Sequence, residues 1–190
     1  MKCNVILSGV GGQGVLSIAA IITQASVEMG LNVRQSEVHG MAQRGGAVIA
    51  HLRISDTVIP SDLVPKGAAD LILSMEPLES LRYTSWLSPN GALVCAAEPF
   101  VNITNYPEIG GVLSALKQFP IHRIVEAAAL AKEAGNARSV NMVMVGAASA
   151  FLPITPEAME ETIKKAFASK GQAMLDTNIK AFNLGRSAAK

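Results

Sequence analysis

The chain has 190 residues, a formal net charge of +1 and 49% apolar residues, of which few are aromatic. No run of Lys or Arg stands out and no stretch of about 18 uninterrupted apolar residues exists, which excludes a nucleic-acid binder and a membrane span. Two cysteines without a C-x-x-C pairing leave no ligand set for an iron–sulfur cluster and predict buried thiols in a reducing cytoplasm.

In chain order, residues 3–8 form the first predicted strand. It runs into Ser8-Gly9-Val10-Gly11-Gly12-Gln13-Gly14. A helix is expected over 12–29, closed by Gly30. Its apolar residues wrap most of the way round, so it is expected to be buried on several sides. A second strand, 32–37, leads into the polar segment His39-Gly40-Met41-Ala42-Gln43-Arg44-Gly45-Gly46. A third strand, 47–55, alternates in part, and Asp56 to Pro60 reads as a turn into a short return strand. A buried strand at 70–75 and a short helix at 76–86 come next. Ser88-Pro89-Asn90-Gly91 reads as a turn. A strand at 92–97, an irregular loop over 98–111, a helical piece at 112–118 and a strand at 121–125 follow.

From Glu126 onward the pattern is helical, over 127–134, 140–152, 156–169 and 173–184. Thr155-Pro156-Glu157 supplies an N-cap, an N1 proline and a first-turn acid. Glu160 with Lys164 and Glu161 with Lys165 are expected to pair across one helical turn. Alternating strands and helices predict an α/β fold. We expect a Rossmann-like, mostly parallel open sheet flanked by helices, with a helical C-terminal third, in one domain spanning 1–190.

Gly9, Gly11 and Gly14 have the G-x-G-x-x-G spacing in strand–turn–helix context. The first amides of such a helix have no partner, and its dipole places about half a positive charge there, which suits a phosphate or pyrophosphate. The segment at 39–46 should lie beside that turn at the carboxyl end of the sheet. Arg44 offers a planar fork for phosphate or carboxylate, and Gln43 adds amide donors. His39 and Arg44 are the candidates for a catalytic role. His39, His51 and His122 are too scattered to predict a metal site. Glu37 follows the glycine turn at the distance of a ribose-binding acid, which keeps a free-standing nicotinamide oxidoreductase open. A non-catalytic assembly subunit, whose turn touches only protein, stays open as well.

The glycine turn in tandem with Glu37-Val38-His39-Gly40-Met41-Ala42-Gln43-Arg44-Gly45-Gly46 resembles the gamma-type domain of 2-oxoacid:ferredoxin oxidoreductases. Ala134-Gly135-Asn136-Ala137-Arg138-Ser139-Val140-Asn141-Met142-Val143-Met144-Val145-Gly146 also fits that pattern. The similarity spans nearly the whole chain, within the branch acting on aryl 2-oxoacids. It implies a holoenzyme that decarboxylates the oxoacid oxidatively, joins the acyl group to coenzyme A and passes electrons to ferredoxin. Thiamine diphosphate, magnesium and iron–sulfur clusters are then expected on a large alpha subunit, because this chain lacks their motifs. Gly9, Gly11, Gly12, Gln13 and Gly14 would cradle an anionic group. Gln43 and Arg44 would orient coenzyme A or the substrate carboxylate. Pyruvate, 2-oxoglutarate or branched-chain relatives of the same reaction fit the resemblance too.

Overall fold

The computed structural model describes residues 1–39 and 45–189, with His39 defined by its backbone. The strands are β1 (Lys2–Val10), β2 (Asn32–His39), β3 (Ala47–Ser55), β4 (Ala69–Ser74), β5 (Leu87–Ala96) and β6 (His122–Val125). The helices are α1 (Val15–Glu28), α2 (Pro77–Arg82), α3 (Ile109–Leu116), α4 (Ala127–Ala134), α5 (Val140–Ala148), α6 (Pro156–Phe167) and α7 (Gln172–Ala188).

The six strands form one sheet in the order β2-β3-β1-β4-β5-β6. β1, β4, β5 and β6 pair in parallel. β3 runs against both β1 and β2, so five strands share one direction and β3 alone opposes them. The expected sheet is therefore present as a mixed one, with a β2–β3 hairpin inserted at its edge.

Side chains alternate between the two faces. On β1, Val5 and Leu7 enter a core with α1 and α5–α7, whereas Ile6 enters a second core with α3. β4 divides in the same way, Leu71 and Leu73 against Ile72, as does β5, Val94 against Leu93. Helices cover both faces, which is why the centres of these strands, Val5 to Leu7, Leu71 to Leu73 and Ala92 to Val94, are apolar on both.

α5 and α7 approach each other closely. A Cβ at Gly146 would lie 2.0 Å from the Phe182 carbonyl oxygen, and one at Gly185 would lie 1.9 Å from that of Val143. The two backbones therefore touch with no side chain between them.

Several expectations need correction. Residues 56–68 hold no strand, because side chains of β3 take up their backbone groups. Arg53 Nη1 donates to the carbonyls of Ser61 and Leu63, and the Val64 amide donates to His51 Nδ1. The expected turn at 88–91 lies inside β5. Ala69 faces Leu87 and Leu71 faces Ala92, so those residues bulge from the ladder. α5 stops at Ala148 and gives way to a tight 3-10 turn, Ser149–Phe151. On α6, Lys164 pairs with Glu161, three residues before it, and Lys165 pairs with Glu28 of α1. The second of these ties two helices instead of bracing one.

Candidate functional site

Five strands end on one edge of the sheet, where open α/β folds bind ligands. β1 continues through Gly9 and ends at Val10. Gly9 is buried, and a Cβ there would come within 2.9 Å of Val15 and 3.1 Å of Met75. Its role is close approach between the turn and the end of β4. Gly12 and Gly14 adopt positive φ, +103° and +78°, which side chains rarely tolerate. Gly12 is exposed and a Cβ on it would face open space, while Gly11 is half-buried.

Gln13 is spent on the turn itself. Its Oε1 accepts from the Val10 amide at 2.7 Å and its Nε2 donates to the Met75 carbonyl at 3.1 Å. The Met75 amide in turn donates to the Ser8 carbonyl at 2.9 Å. From α5, Asn141 Nδ2 donates to the Gly14 carbonyl.

This bracing leaves donors unused. The N–H groups of Gly12, Gly14, Val15 and Leu16 donate to no acceptor among the described residues. α1 has no side-chain cap and no acid in its first turn. Unpaired amides at the positive end of a 14-residue helix favour a negative group.

The second predicted segment meets the first. The Gly11 amide donates to the Gly46 carbonyl at 2.8 Å, and the Gly45 amide donates to the Gly11 carbonyl at 3.2 Å. These bonds stitch the tip of the β2–β3 hairpin to the glycine turn. Gly40, Met41, Ala42, Gln43 and Arg44 lie outside the described residues, as does the side chain of His39. Glu37 is exposed on β2, with β3 between it and β1. A ribose-binding acid belongs on the strand next to the glycine-bearing one, so this topology does not supply the nicotinamide arrangement.

Sequence reading missed a carboxylate at the same edge. Glu76 follows β4 and is only 1% exposed. Its Oε2 accepts from the Glu79 amide at 2.8 Å and caps α2. Its Oε1 accepts from the Phe100 amide at 3.3 Å and from the Tyr106 hydroxyl. Burial, then the Glu76 carboxylate, pushes the Tyr106 hydroxyl well above its ordinary pKa. Asn102, between these two anchors, donates from Nδ2 to the Gly45 carbonyl at 2.7 Å. Glu98 Oε1 accepts from the Ala128 amide at 2.6 Å at the start of α4. Only the Glu76-Pro77 pair carries a sequence signal, that of a helix start. The bonds to Phe100 and Tyr106 come from the fold.

Cys3 packs in the core under α1 and Cys95 in the one under α3, so the two thiols are on opposite faces of the sheet. Both are buried and free. Burial pushes each pKa up to about 12, the opposite of what a thiolate ligand needs.

Residues 4–188 match the model of the pyruvate ferredoxin/flavodoxin oxidoreductase family. Indolepyruvate oxidoreductase subunit IorB of Archaeoglobus fulgidus is 36% identical, over 100% of this chain and 96% of the relative. Its counterpart in Pyrococcus horikoshii is 37% identical, over 98% and 96%. Among solved structures, 2-oxoglutarate:ferredoxin oxidoreductase from Magnetococcus marinus, with 2-oxoglutarate, coenzyme A and succinyl-CoA bound, superposes with a TM-score of 0.79 at 22% identity. The match covers 99% of this chain and 31% of that one. Pyruvate oxidoreductase subunit PORC from Thermotoga maritima gives 0.73 at 24% identity, over 98% and 96%.

Proposed function

Because the chain belongs to the pyruvate ferredoxin/flavodoxin oxidoreductase family, we propose that it is the small subunit of an indolepyruvate:ferredoxin oxidoreductase. The holoenzyme decarboxylates an aryl 2-oxoacid oxidatively, forms the aryl-acetyl-CoA and reduces ferredoxin. The substrate assignment rests on the IorB relatives, which the chain matches from end to end. A single domain over 1–190 carries this role, in a reducing compartment such as the cytoplasm.

The observation behind this chain's part is the glycine turn with four amides that donate to no acceptor among the described residues. Gly12 and Gly14 hold the backbone open, and the N–H groups at α1 receive the pyrophosphate of coenzyme A. Gly9, Gly11 and Gln13 shape that turn. Gln43 and Arg44, in the segment between β2 and β3, orient coenzyme A or the substrate carboxylate, and the backbone of His39 ends β2 at the same edge. Thiamine diphosphate, magnesium and iron–sulfur clusters on the large subunit supply carbanion and electron chemistry. Two thiols on opposite faces of a sheet cannot ligate a cluster together.

The test is reconstitution with the large subunit, followed by coenzyme A-dependent reduction of a viologen dye. Indolepyruvate should be preferred over pyruvate and 2-oxoglutarate, and the isolated chain should be inactive. Gly12→Asp places a carboxylate among the free amides and should raise KM for coenzyme A roughly tenfold or more. Turnover by the isolated chain, or an unchanged KM in Gly12→Asp, would overturn the assignment.

A further inference from the structure

The segment 98–108 leaves β5 and crosses the same edge as the glycine turn. It has no helix or strand of its own, and Phe100, Val101 and Ile103 on it are exposed. An irregular loop with outward apolar side chains needs specific anchors to hold one position. It has three. The Phe100 amide and the Tyr106 hydroxyl both end on Glu76 Oε1, and the Asn102 amide ends on the Gly45 carbonyl. Gly45 in turn donates to Gly11. Three hydrogen-bonded anchors joined by short stretches of backbone therefore lead from a buried carboxylate, through this strap and Gly45, to the glycine turn.

We propose that the strap 98–108 forms a third wall of the coenzyme A site, and that Glu76 is the positioning residue that sets it, acting through Tyr106 and Asn102. The inference rests on the coenzyme reading above. Glu76 touches no ligand. A carboxylate with so little exposure is stable only when its oxygens are satisfied. Three donors meet that need, and two of them belong to the strap. The other fixes α2, so the strap takes its position from the rigid end of β4. Asn102 then transfers that position to the backbone that closes on Gly11. Phe100, Val101 and Ile103 give the wall an apolar surface suited to the adenine or pantetheine portion of coenzyme A, beside a turn suited to its pyrophosphate.

The experiment uses the reconstituted holoenzyme and two mild variants. Tyr106→Phe removes one hydroxyl and leaves the α2 cap intact. Asn102→Ala removes an exposed amide. Each should raise KM for coenzyme A about three- to tenfold, with kcat and KM for the 2-oxoacid within about twofold of wild type. Asn102→Gln, which keeps an amide within reach of Gly45, should restore part of the loss. A purely structural role would lower the melting temperature of both variants without this split. If Gly12→Asp raises KM for coenzyme A and neither strap variant does, the strap is no part of the site and this inference fails alone. If Gly12→Asp also has no effect, the coenzyme reading and this inference fail together.

Discussion

The side-chain amide of Asn141 lies 3.3 Å from the carbonyl oxygen of Gly14, joining residues 127 positions apart. It is a hydrogen bond from the helical part of the chain to the glycine turn. A Cβ at Gly14 would stand 2.2 Å from Asn141 Nδ2, at a φ of +78°. Gly14→Ala should therefore cost about 1–3 kcal/mol, chiefly from left-handed strain, with displacement of the Asn141 amide adding its lost hydrogen bond. Adding Asn141→Ala should recover the steric part and leave about 1 kcal/mol of strain. Urea denaturation of the four proteins in a double-mutant cycle measures this. Additive losses would show that the two residues do not interact.

Gln13 braces the turn from inside. Gln13→Met keeps its length and leaves the Val10 amide and the Met75 carbonyl without partners. A loss of about 2–4 kcal/mol is expected. Hydrogen exchange at Val10 should accelerate, while exchange in α7, remote from the turn, should change only with global stability. An unchanged Val10 rate would contradict the brace.

Two glycine substitutions should act in opposite directions. Gly146→Ala drives a methyl group into the Phe182 carbonyl, 2.0 Å from the added carbon, and should cost more than about 3 kcal/mol. In α3, a Cβ at Gly110 meets nothing within 4 Å, so Gly110→Ala should stabilise by about 0.5–1 kcal/mol through helix propensity. Thermal melts of both variants decide the point.

Acid sensitivity near neutrality should trace to His51. Burial lowers its pKa below the ordinary value, and its Nδ1 lone pair accepts the Val64 amide. The unfolded chain thus takes up this proton first as pH falls through about 6.5. Stability is fully present above that pH and declines toward the lower folded pKa. His51→Gln retains an acceptor but no titration. Its melting temperature should fall less than that of wild type between pH 7.5 and 5.5. Equal slopes would assign the effect elsewhere.

Local chemistry made much of this fold legible. The glycine turn was readable because its spacing, the preceding apolar run and the following helix agree. α4 and β3 fall where their patterns place them. Strand direction is not a local property, so nothing in 47–55 announced that β3 runs backwards between β1 and β2. The bulge at 88–91 was invisible for a related reason. Pro89 and Gly91 signal a chain reversal, but pairing with β4 on either side carries the strand through it. Tyr106 was unreadable as a partner of Glu76, because the two meet only when β4 and β5 align. At the site, Gln13 looks like a ligand-facing amide in sequence and is turned inward in the fold, since the Val10 amide and Met75 carbonyl need it.

The backbone contact at Gly146 and Gly185 has a consequence for the order of synthesis. α7 leaves the ribosome well after the glycine turn, and it clamps the helix that delivers Asn141 to that loop. During translation that loop emerges before its brace and waits until α7 has followed. Its final shape is thus a property of the chain through α7 and not of β1 and α1 alone.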